Sequence, residues 1–335
     1  MTRAGTVFVG DVALDEYFTA ESWPALGDKA WLDPLPAVVG GMIANAASVH
    51  AALGAPTRFL TTMNDGAISQ RLLSDLETGG VDTGLCLVDN ELADSRCLIF
   101  LSGGQHVVLT PRIGDQRFEL DAERFQVLSA ARSLYSSIGD LRRLRHGALT
   151  PLEILRALRA SGTRIVLDLD VADLEPGDLE LIGTVDLLFV NRIGFDRLRA
   201  GRSASDCAGA LIAGGLSHLV VTRDADGCIV YSAGAPTATP ISVAGIAADV
   251  VDVTGAGDAF CSAFLFALDR TADAGLAALF ANGAGARATE AHGARSGVAG
   301  VGDVIRYLEV AGVDTAALNL ALTTAPSATS TPDSH

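Results

Sequence analysis

Short apolar runs alternate with stretches of helical period along most of the chain. The runs VFVG (7–10), TRFLTT (57–62), RSLYSS (132–137), TRIVLDLD (163–170), DLLFVN (186–191) and HLVVTR (218–223) are rich in leucine or β-branched residues. Runs of this length and composition predict strands buried on both faces. Helical period predicts helices over 42–54, 66–78 and 151–160, and again over 258–270, 274–290 and 301–311. Gly54 and the pair Gly79-Gly80 mark the ends of the first two. Strands and helices in this alternation predict βα repeats around a parallel sheet with helices on both faces.

Two segments break the rhythm. Residues 11–38 hold Trp23, Pro24, Trp31, Pro34 and Pro36 without helical period. Residues 96–111 read RCLIFLSGGQHVVLTP, two apolar strands about a Gly103-Gly104 turn, which is a hairpin signal. Taken together they form one small β-lid built from two insertions, leaving 1–10, 39–95 and 112–312 as an α/β core. Edge strands of the main sheet are the alternative. From 322 the chain turns small and polar (LTTAPSATSTPDSH), and 322–335 is expected to be a disordered tail.

Composition narrows the class. With 335 residues, 49% of them hydrophobic, and 36 glycines, the chain can bury a large core and make many tight turns. Its apolar runs are too short for a membrane span, and Asp11 and Asp15 follow the first strand at once, unlike a signal peptide. The expectation is a cytoplasmic protein with no membrane partner. A net charge of −16 repels nucleic acid, although backbone N–H groups can still bind a small anion locally. The five cysteines form no C-x-x-C pair and the six histidines no H-x-x-x-H spacing, so neither disulfides nor a structural metal is expected.

The candidate chemistry starts from what is missing. Lys29 is the sole lysine and follows Asp28, which excludes a Walker A loop. Neither Gly10-Asp11 nor residues 255–260 supply a dinucleotide fingerprint. What remains is VDVTGAGDAF at 251–260. The N–H groups of Gly255, Ala256 and Gly257 at a helix start form a concave donor surface for an anion. Asp258 follows, as a carboxylate expected to be ionised at pH 7. Beside an anion hole it is repulsive unless it accepts a proton from a hydroxyl attacking phosphorus. An N-capping aspartate on an ordinary glycine loop is the structural alternative. In VVGGMIANAASVHAALG (38–54), Gly40-Gly41 would let a polar ligand approach the backbone, and Asn45 offers a donor and an acceptor to sugar hydroxyls.

Gly-Gly-x-x-x-Asn at 40–45 and Asp-x-Thr-Gly-Ala-Gly-Asp at 252–258, in this order, resemble the ribokinase-like (PfkB) family of carbohydrate and nucleoside kinases. The resemblance implies a three-layer α/β/α core with a mostly parallel sheet and a small β-sheet lid. It also implies ATP as donor, Mg²⁺, and transfer of the γ-phosphoryl group to an alcohol. By the same resemblance Asp258 is the general base, and Gly255, Ala256 and Gly257 form the anion hole. Asp15 holds substrate hydroxyls, with Asp11 a second acidic candidate, and Gly40, Gly41 and Asn45 complete the substrate site. Asn191 lies near the phosphates and Mg²⁺, Thr222 and Gly227 belong to the nucleotide loop, and Asn282 borders the purine. Asp252 and Thr254 match part of a monovalent-cation site.

The chain departs from the family pattern in three places. Asn-x-x-Glu is here Asn191-Arg192-Ile193-Gly194, so a carboxylate near Mg²⁺ is missing. Thr-x-Gly-x-x-Gly is here Thr222-Arg223-Asp224-Ala225-Asp226-Gly227. Asp224 there weakens ATP binding, takes over the lost contact to Mg²⁺, or sits in solvent in a shifted loop. Gly297, in EAHGARSG, stands where potassium-dependent relatives often place serine, which argues against potassium activation. The reading is an ATP-dependent sugar kinase. The alternatives are a nucleoside kinase, with Phe18, Trp23 or Trp31 stacking on a base, and a weakly active sugar-binding sensor. Phosphosugars are disfavoured because the lid holds no basic cluster beyond Arg96 and Arg112. Oligomeric state is left open by the sequence, although an exposed lid edge could pair two copies into a homodimer.

Overall fold

Successive residues of the central strands point to opposite faces and fill two separate cores. Phe8, Val166, Leu187, Phe189 and Val220 pack under helices Met42–Ala52, Ala256–Thr271, Ala274–Thr289 and Val301–Val310. Val7, Val9, Ile165, Leu167, Leu188 and Val190 pack under helices Ala122–Ala130, Pro151–Ala160, Arg192–Arg199 and Ala204–Ala213. The result is three layers, α/β/α. The computed structural model describes residues 4–25, 27–102, 105–170, 174–237, 239–295 and 297–323.

The central sheet has eight strands. In spatial order they are Ile241–Val243, Cys228–Ser232, His218–Thr222, Leu187–Asn191, Arg164–Asp168, Ala131–Ser137, Ala4–Val9 and Thr57–Leu60. From His218–Thr222 to Thr57–Leu60 all neighbours are parallel. The first two strands are antiparallel additions at one edge. The chain leaves Ala4–Val9 toward Thr57–Leu60 on one side and returns to Ala131–Ser137 on the other. Ligands of such sheets bind beyond the carboxyl ends of the strands at this reversal. Asp11, Asp140, Asp168, Asn191 and Thr222 all stand at those ends.

Local signals account for the helices. Pro151–Ala160 starts at a capping box formed by Thr150 and Glu153, with Pro151 in the first turn. Ala256–Thr271 is buried without interruption from Ala259 to Leu268. Being apolar all round, it lies between Met42–Ala52 and Ala274–Thr289 instead of on the surface. Its first turn therefore reaches the sheet's carboxyl end from inside the protein.

Ala13–Thr19, Asp33–Pro34, Val38–Gly40, Arg96–Ser102 and Gln105–Leu109 form a second, five-stranded sheet. Ala13–Thr19 is its centre, parallel to Arg96–Ser102 and antiparallel to Asp33–Pro34 and Val38–Gly40. Ser102 pairs with Gln105 across the hairpin, whose Gly103-Gly104 turn lies outside the described residues. Phe18 stacks on Phe100 at 5.4 Å, and Trp23 meets the same ring edge-on at 5.7 Å.

The last helix, Ala316–Thr323, buries Leu318 and Leu322 one turn apart. Leu322 and Thr323 thus belong to a helix instead of the polar tail expected from 322. Residues 324–335 lie outside the described residues. Among the described residues, no helix is long and apolar enough to cross a membrane.

Candidate active site

Asp258 sits in the first turn of Ala256–Thr271, and its Oδ2 accepts a hydrogen bond of 2.8 Å from Asn45 Nδ2. Its Oδ1 meets no hydrogen-bond donor among the described residues. Burial raises the pKa of this carboxyl to about 8; the Asn45 bond works against that rise, Asp168 and Asp170 add to it, and Arg295 opposes it. The expectation of a carboxylate fully ionised at pH 7 is therefore corrected. A pKa near neutrality suits a group that must take and release a proton.

The anion hole differs in detail from its sequence reading. The Ala256 N–H donates to the Val253 carbonyl at 3.2 Å and is not available to a ligand. The N–H groups of Gly255, Gly257 and Asp258 have no acceptor among the described residues. Each glycine has its own reason. Gly255 adopts φ +78, and a Cβ there would lie 2.5 Å from the Ala294 backbone. A Cβ on Gly257 would meet nothing within 4 Å, so its bare face leaves open space beside its amide.

On the acceptor side, the two glycines are explained by protein contacts. A Cβ on Gly40 would come 1.9 Å from Asp15 Oδ2, and one on Gly41, at φ +101, 2.7 Å from the Asp11 carbonyl. The close approach permitted here is that of the segment bearing Asp11 and of strand Ala13–Thr19, which bears Asp15. Asp15 is half-buried, and its pKa is raised to about 6 by burial, with Arg295 and a hydrogen bond from Cys97 opposing. Asp11 takes both its contacts of 3.1 Å from Arg143 Nη1, which also donates to Gln116 at 2.6 Å and Asp140 at 3.3 Å. Asn45 does not offer both ends of its amide to a ligand: Nδ2 holds Asp258, and Oδ1 accepts from Arg295 Nε at 2.9 Å.

The donor side shows the largest departures. Asn191 caps helix Arg192–Arg199 through Gly194 N–H, and its Nδ2 donates to Asp170 Oδ1 at 2.7 Å. Gly194 is closed to any side chain, since a Cβ would lie 1.9 Å from the Asp170 carbonyl oxygen. Asp170, at φ +46, thus brings a carboxylate to Asn191 where position 194 has none. Thr222 ends its strand, and residues 224–226 form a single 3-10 turn leading into Cys228–Ser232. Asp224 adopts φ +52 and is exposed, meeting Arg192 at 3.3 Å, so it stands in solvent on this loop. Gly227 is demanded by the Val243 carbonyl, 2.2 Å from where its Cβ would be, and its N–H is bonded to Asp224. Asn282 is buried, with its amide donating to the carbonyls of Ala244 at 2.9 Å and Val243 at 3.3 Å. Its Nδ2 is thus engaged within the protein.

Asp252 and Thr254 are also engaged within the protein. Asp252 accepts from Thr254 N–H at 2.9 Å and Gly293 N–H at 3.0 Å, tying the two loops together. Burial pushes this carboxyl up, but the N–H donors outweigh it and hold the pKa below the usual value. A Cβ on Gly297 would collide with Ala288 Cα at 2.3 Å, so serine does not fit there. Among the described residues no cluster of three or more His, Cys, Asp or Glu could hold a metal ion.

Three features of the site escaped the sequence reading. Asp168 is buried, accepts from Tyr135 Oη at 2.8 Å, and has its pKa raised to about 6 mainly by burial. Asp168 and Asp170 end the apolar run TRIVLDLD, and acids at the carboxyl end of a parallel strand are a readable signal. Asp140 is buried beside Asp11, and burial and that neighbour raise its pKa to about 8. Arg295 has no such signal: it is a lone arginine in a loop after Ala274–Thr289.

Residues 35–299 match the pfkB family carbohydrate kinases. A ribokinase of Staphylococcus aureus is 22% identical over 309 residues, covering 87% of this chain and 95% of that protein. A nucleoside kinase of Methanothermobacter thermautotrophicus is 24% identical over 303 residues, covering 89% and 93%. The structure of Arabidopsis thaliana ribokinase with ribose and ATP superposes with a TM-score of 0.77 at 20% identity, covering 92% of this chain and 99% of that one.

Proposed function

The chain belongs to the pfkB family of carbohydrate kinases, and on that premise we propose that it transfers the γ-phosphoryl group of ATP to a hydroxyl of a small neutral sugar, with Asp258 as general base. The observation that carries this reading is the geometry of Asp258. One oxygen is held by Asn45 at 2.8 Å and the other is open, on the residue next to the bare amide of Gly257. Asp258 Oδ1 takes the proton of the acceptor hydroxyl as its oxygen bonds to the γ-phosphorus. The bond from that phosphorus to the bridging oxygen breaks, and ADP leaves. The N–H groups of Gly255, Gly257 and Asp258, with the helix dipole behind them, meet the charge on the equatorial oxygens.

Mg²⁺ is commonly held through one or two carboxylates together with waters and substrate phosphates. The Asp170 carboxylate beside Asn191 fits that description, and Gly194 does not. Bound there, the ion would neutralise charge on the donor phosphates. Asp224 is turned to solvent and has no part in this reading.

A neutral acceptor is favoured by the fate of the arginines. Arg143 is spent on Asp11, Gln116 and Asp140, Arg295 on Asn45, Gly40 and Asp75, and Arg96 faces Glu16 at 3.4 Å. The nucleoside kinase relative supports a second reading, a nucleoside as acceptor. Phe18 and Trp23 are already packed on Phe100, which leaves Trp31, 98% exposed, as the aromatic free to stack. The small sheet, in this proposal, covers the acceptor as a lid. Its outer strand Gln105–Leu109 exposes Val107, Val108 and Leu109, an edge suited to pairing with a second copy.

The test is ADP release over a panel of neutral sugars, phosphosugars and nucleosides, with calorimetry of ATP and sugar alongside. Turnover confined to neutral sugars supports the proposal. Turnover confined to nucleosides selects the second reading, and sugar binding without ATP binding would leave a sensor.

A further inference from the structure

We propose that Arg295 is the positioning residue of this site, locking the Asn45 amide against Asp258 so that one carboxylate oxygen stays open to the acceptor. The inference rests on the reading of Asp258 as the base. It starts from a rule of donors and acceptors. A guanidinium Nε–H can only donate, so the atom that faces it at 2.9 Å must be Asn45 Oδ1. Nδ2 is thereby turned toward Asp258. With the amide reversed, N–H would face N–H at one end and oxygen would face carboxylate at the other.

Three edges of the guanidinium are anchored on three different elements. Nε holds Asn45 on helix Met42–Ala52, Nη1 holds Asp75 on helix Ala67–Thr78 at 2.5 Å, and Nη2 donates at 3.2 Å to the Gly40 carbonyl ending strand Val38–Gly40. The side chain is only 15% exposed. Its loop is pressed against the helix start that bears the base, because Ala294 fills the space a Cβ on Gly255 would need. A planar fork with fixed donor directions makes this three-way tie, and a lysine cannot.

Charge adds a second effect. The groups acting on Asp258 are Asn45 from its helix, Asp168 and Asp170 from the end of Arg164–Asp168, and Arg295, the one cation among them. Tyr135 and Cys261 also feel its charge. Asp15 faces the same guanidinium from the small sheet. Arg295 therefore favours the ionised form of the base as well as its orientation.

The experiment compares the parent chain with Arg295→Lys and Arg295→Met. Rates are measured against pH with the acceptor found in the panel, and the Asp258 carboxyl is titrated by carbon NMR, its signal identified by its loss in Asp258→Asn. Arg295→Met should lower kcat by about 10–100-fold with the KM for ATP little changed, as expected for a misoriented base. Its rate profile and its Asp258 titration should both move to higher pH. Arg295→Lys should bring the titration back toward the parent while keeping most of the kcat loss, a split that a purely structural role would not produce. A folded Arg295→Met with parental kcat and parental titration overturns the inference. Should Arg295→Met not fold, a parental kcat in Arg295→Lys overturns it equally. If the parent chain phosphorylates nothing, the reading of Asp258 falls on its own, and the Asn45 side-chain amide signals, identified by their loss in Asn45→Ala, then decide the lock: they should shift in Arg295→Met and in Arg295→Lys, and parental signals in both variants overturn it.

Discussion

Asn45 donates its side-chain amide to Asp258 Oδ2 at 2.8 Å, a bond between residues 213 positions apart in the chain. It leaves Asp258 Oδ1 with no hydrogen-bond donor among the described residues. Asp258→Asn keeps the shape of the side chain but has no basic oxygen of comparable strength. It should slow phosphoryl transfer by about 10²–10⁴-fold. ADP release at saturating ATP and acceptor measures this, and a parental rate would remove Asp258 from the chemistry.

The same carboxyl sets a pH dependence of stability. Its pKa is about 8 in the folded protein against 3.8 unperturbed. The folded state holds the proton where the unfolded chain has released it, so this residue's contribution is complete below pH 3.8 and is lost as pH rises through about 8. Asp258→Asn removes the loss. Its melting temperature should exceed the parent's by several degrees at pH 9, and the gap should shrink toward pH 4. A gap that stays constant across this range would mean that the carboxyl is not buried as described.

Asp170 and Gly194 make a paired prediction. Gly194→Ala places a methyl 1.9 Å from the Asp170 carbonyl oxygen, so the chain must shift and the melting temperature should fall. Asp170→Asn leaves the backbone in place. It should weaken Mn²⁺ binding in the presence of ADP, followed by electron paramagnetic resonance, without weakening sugar binding. Equal Mn²⁺ affinity in parent and variant would exclude Asp170 from the donor site.

Asp224 holds a left-handed conformation at φ +52 that costs a side-chain-bearing residue about 1–2 kcal/mol. Glycine relieves this but gives up about 0.5–1 kcal/mol to a looser unfolded chain. The exposed contact with Arg192 at 3.3 Å contributes little. Asp224→Gly should therefore melt close to the parent. With the carboxylate turned to solvent, the KM for ATP should also stay close to the parent's. A raised KM would point to a direct role for the carboxylate.

Periodicity made the layers legible because burial on both faces forces apolar runs in strands and stripes in helices. The helix expected over 151–160 is observed as Pro151–Ala160. In the sequence the segment from Thr222 to Gly227 reads as a ligand loop, which draws attention away from the strands Cys228–Ser232 and Ile241–Val243; in the fold it is the turn of a hairpin. The site divided along similar lines. Asp258 and Gly257 lie in one contiguous motif, and local rules suffice to single them out. Gly40 looked like room for a ligand until Asp15 was found against it. Arg295 contributes through a partner 250 positions away, and no local pattern carries that tie. Gly194 reads as a missing carboxylate, whereas the carboxylate beside Asn191 belongs to Asp170, 24 positions before Gly194 in the chain.

The contact between Gly194 and the Asp170 carbonyl couples two segments that reach Asn191 from different parts of the chain. A Cβ at 194 and the left-handed turn at 170 exclude each other as they stand, since even the first side-chain carbon lies 1.9 Å from that carbonyl oxygen. Substitutions at the two positions are therefore expected to be non-additive, because any side chain placed at 194 acts on Asn191 through the displacement of Asp170.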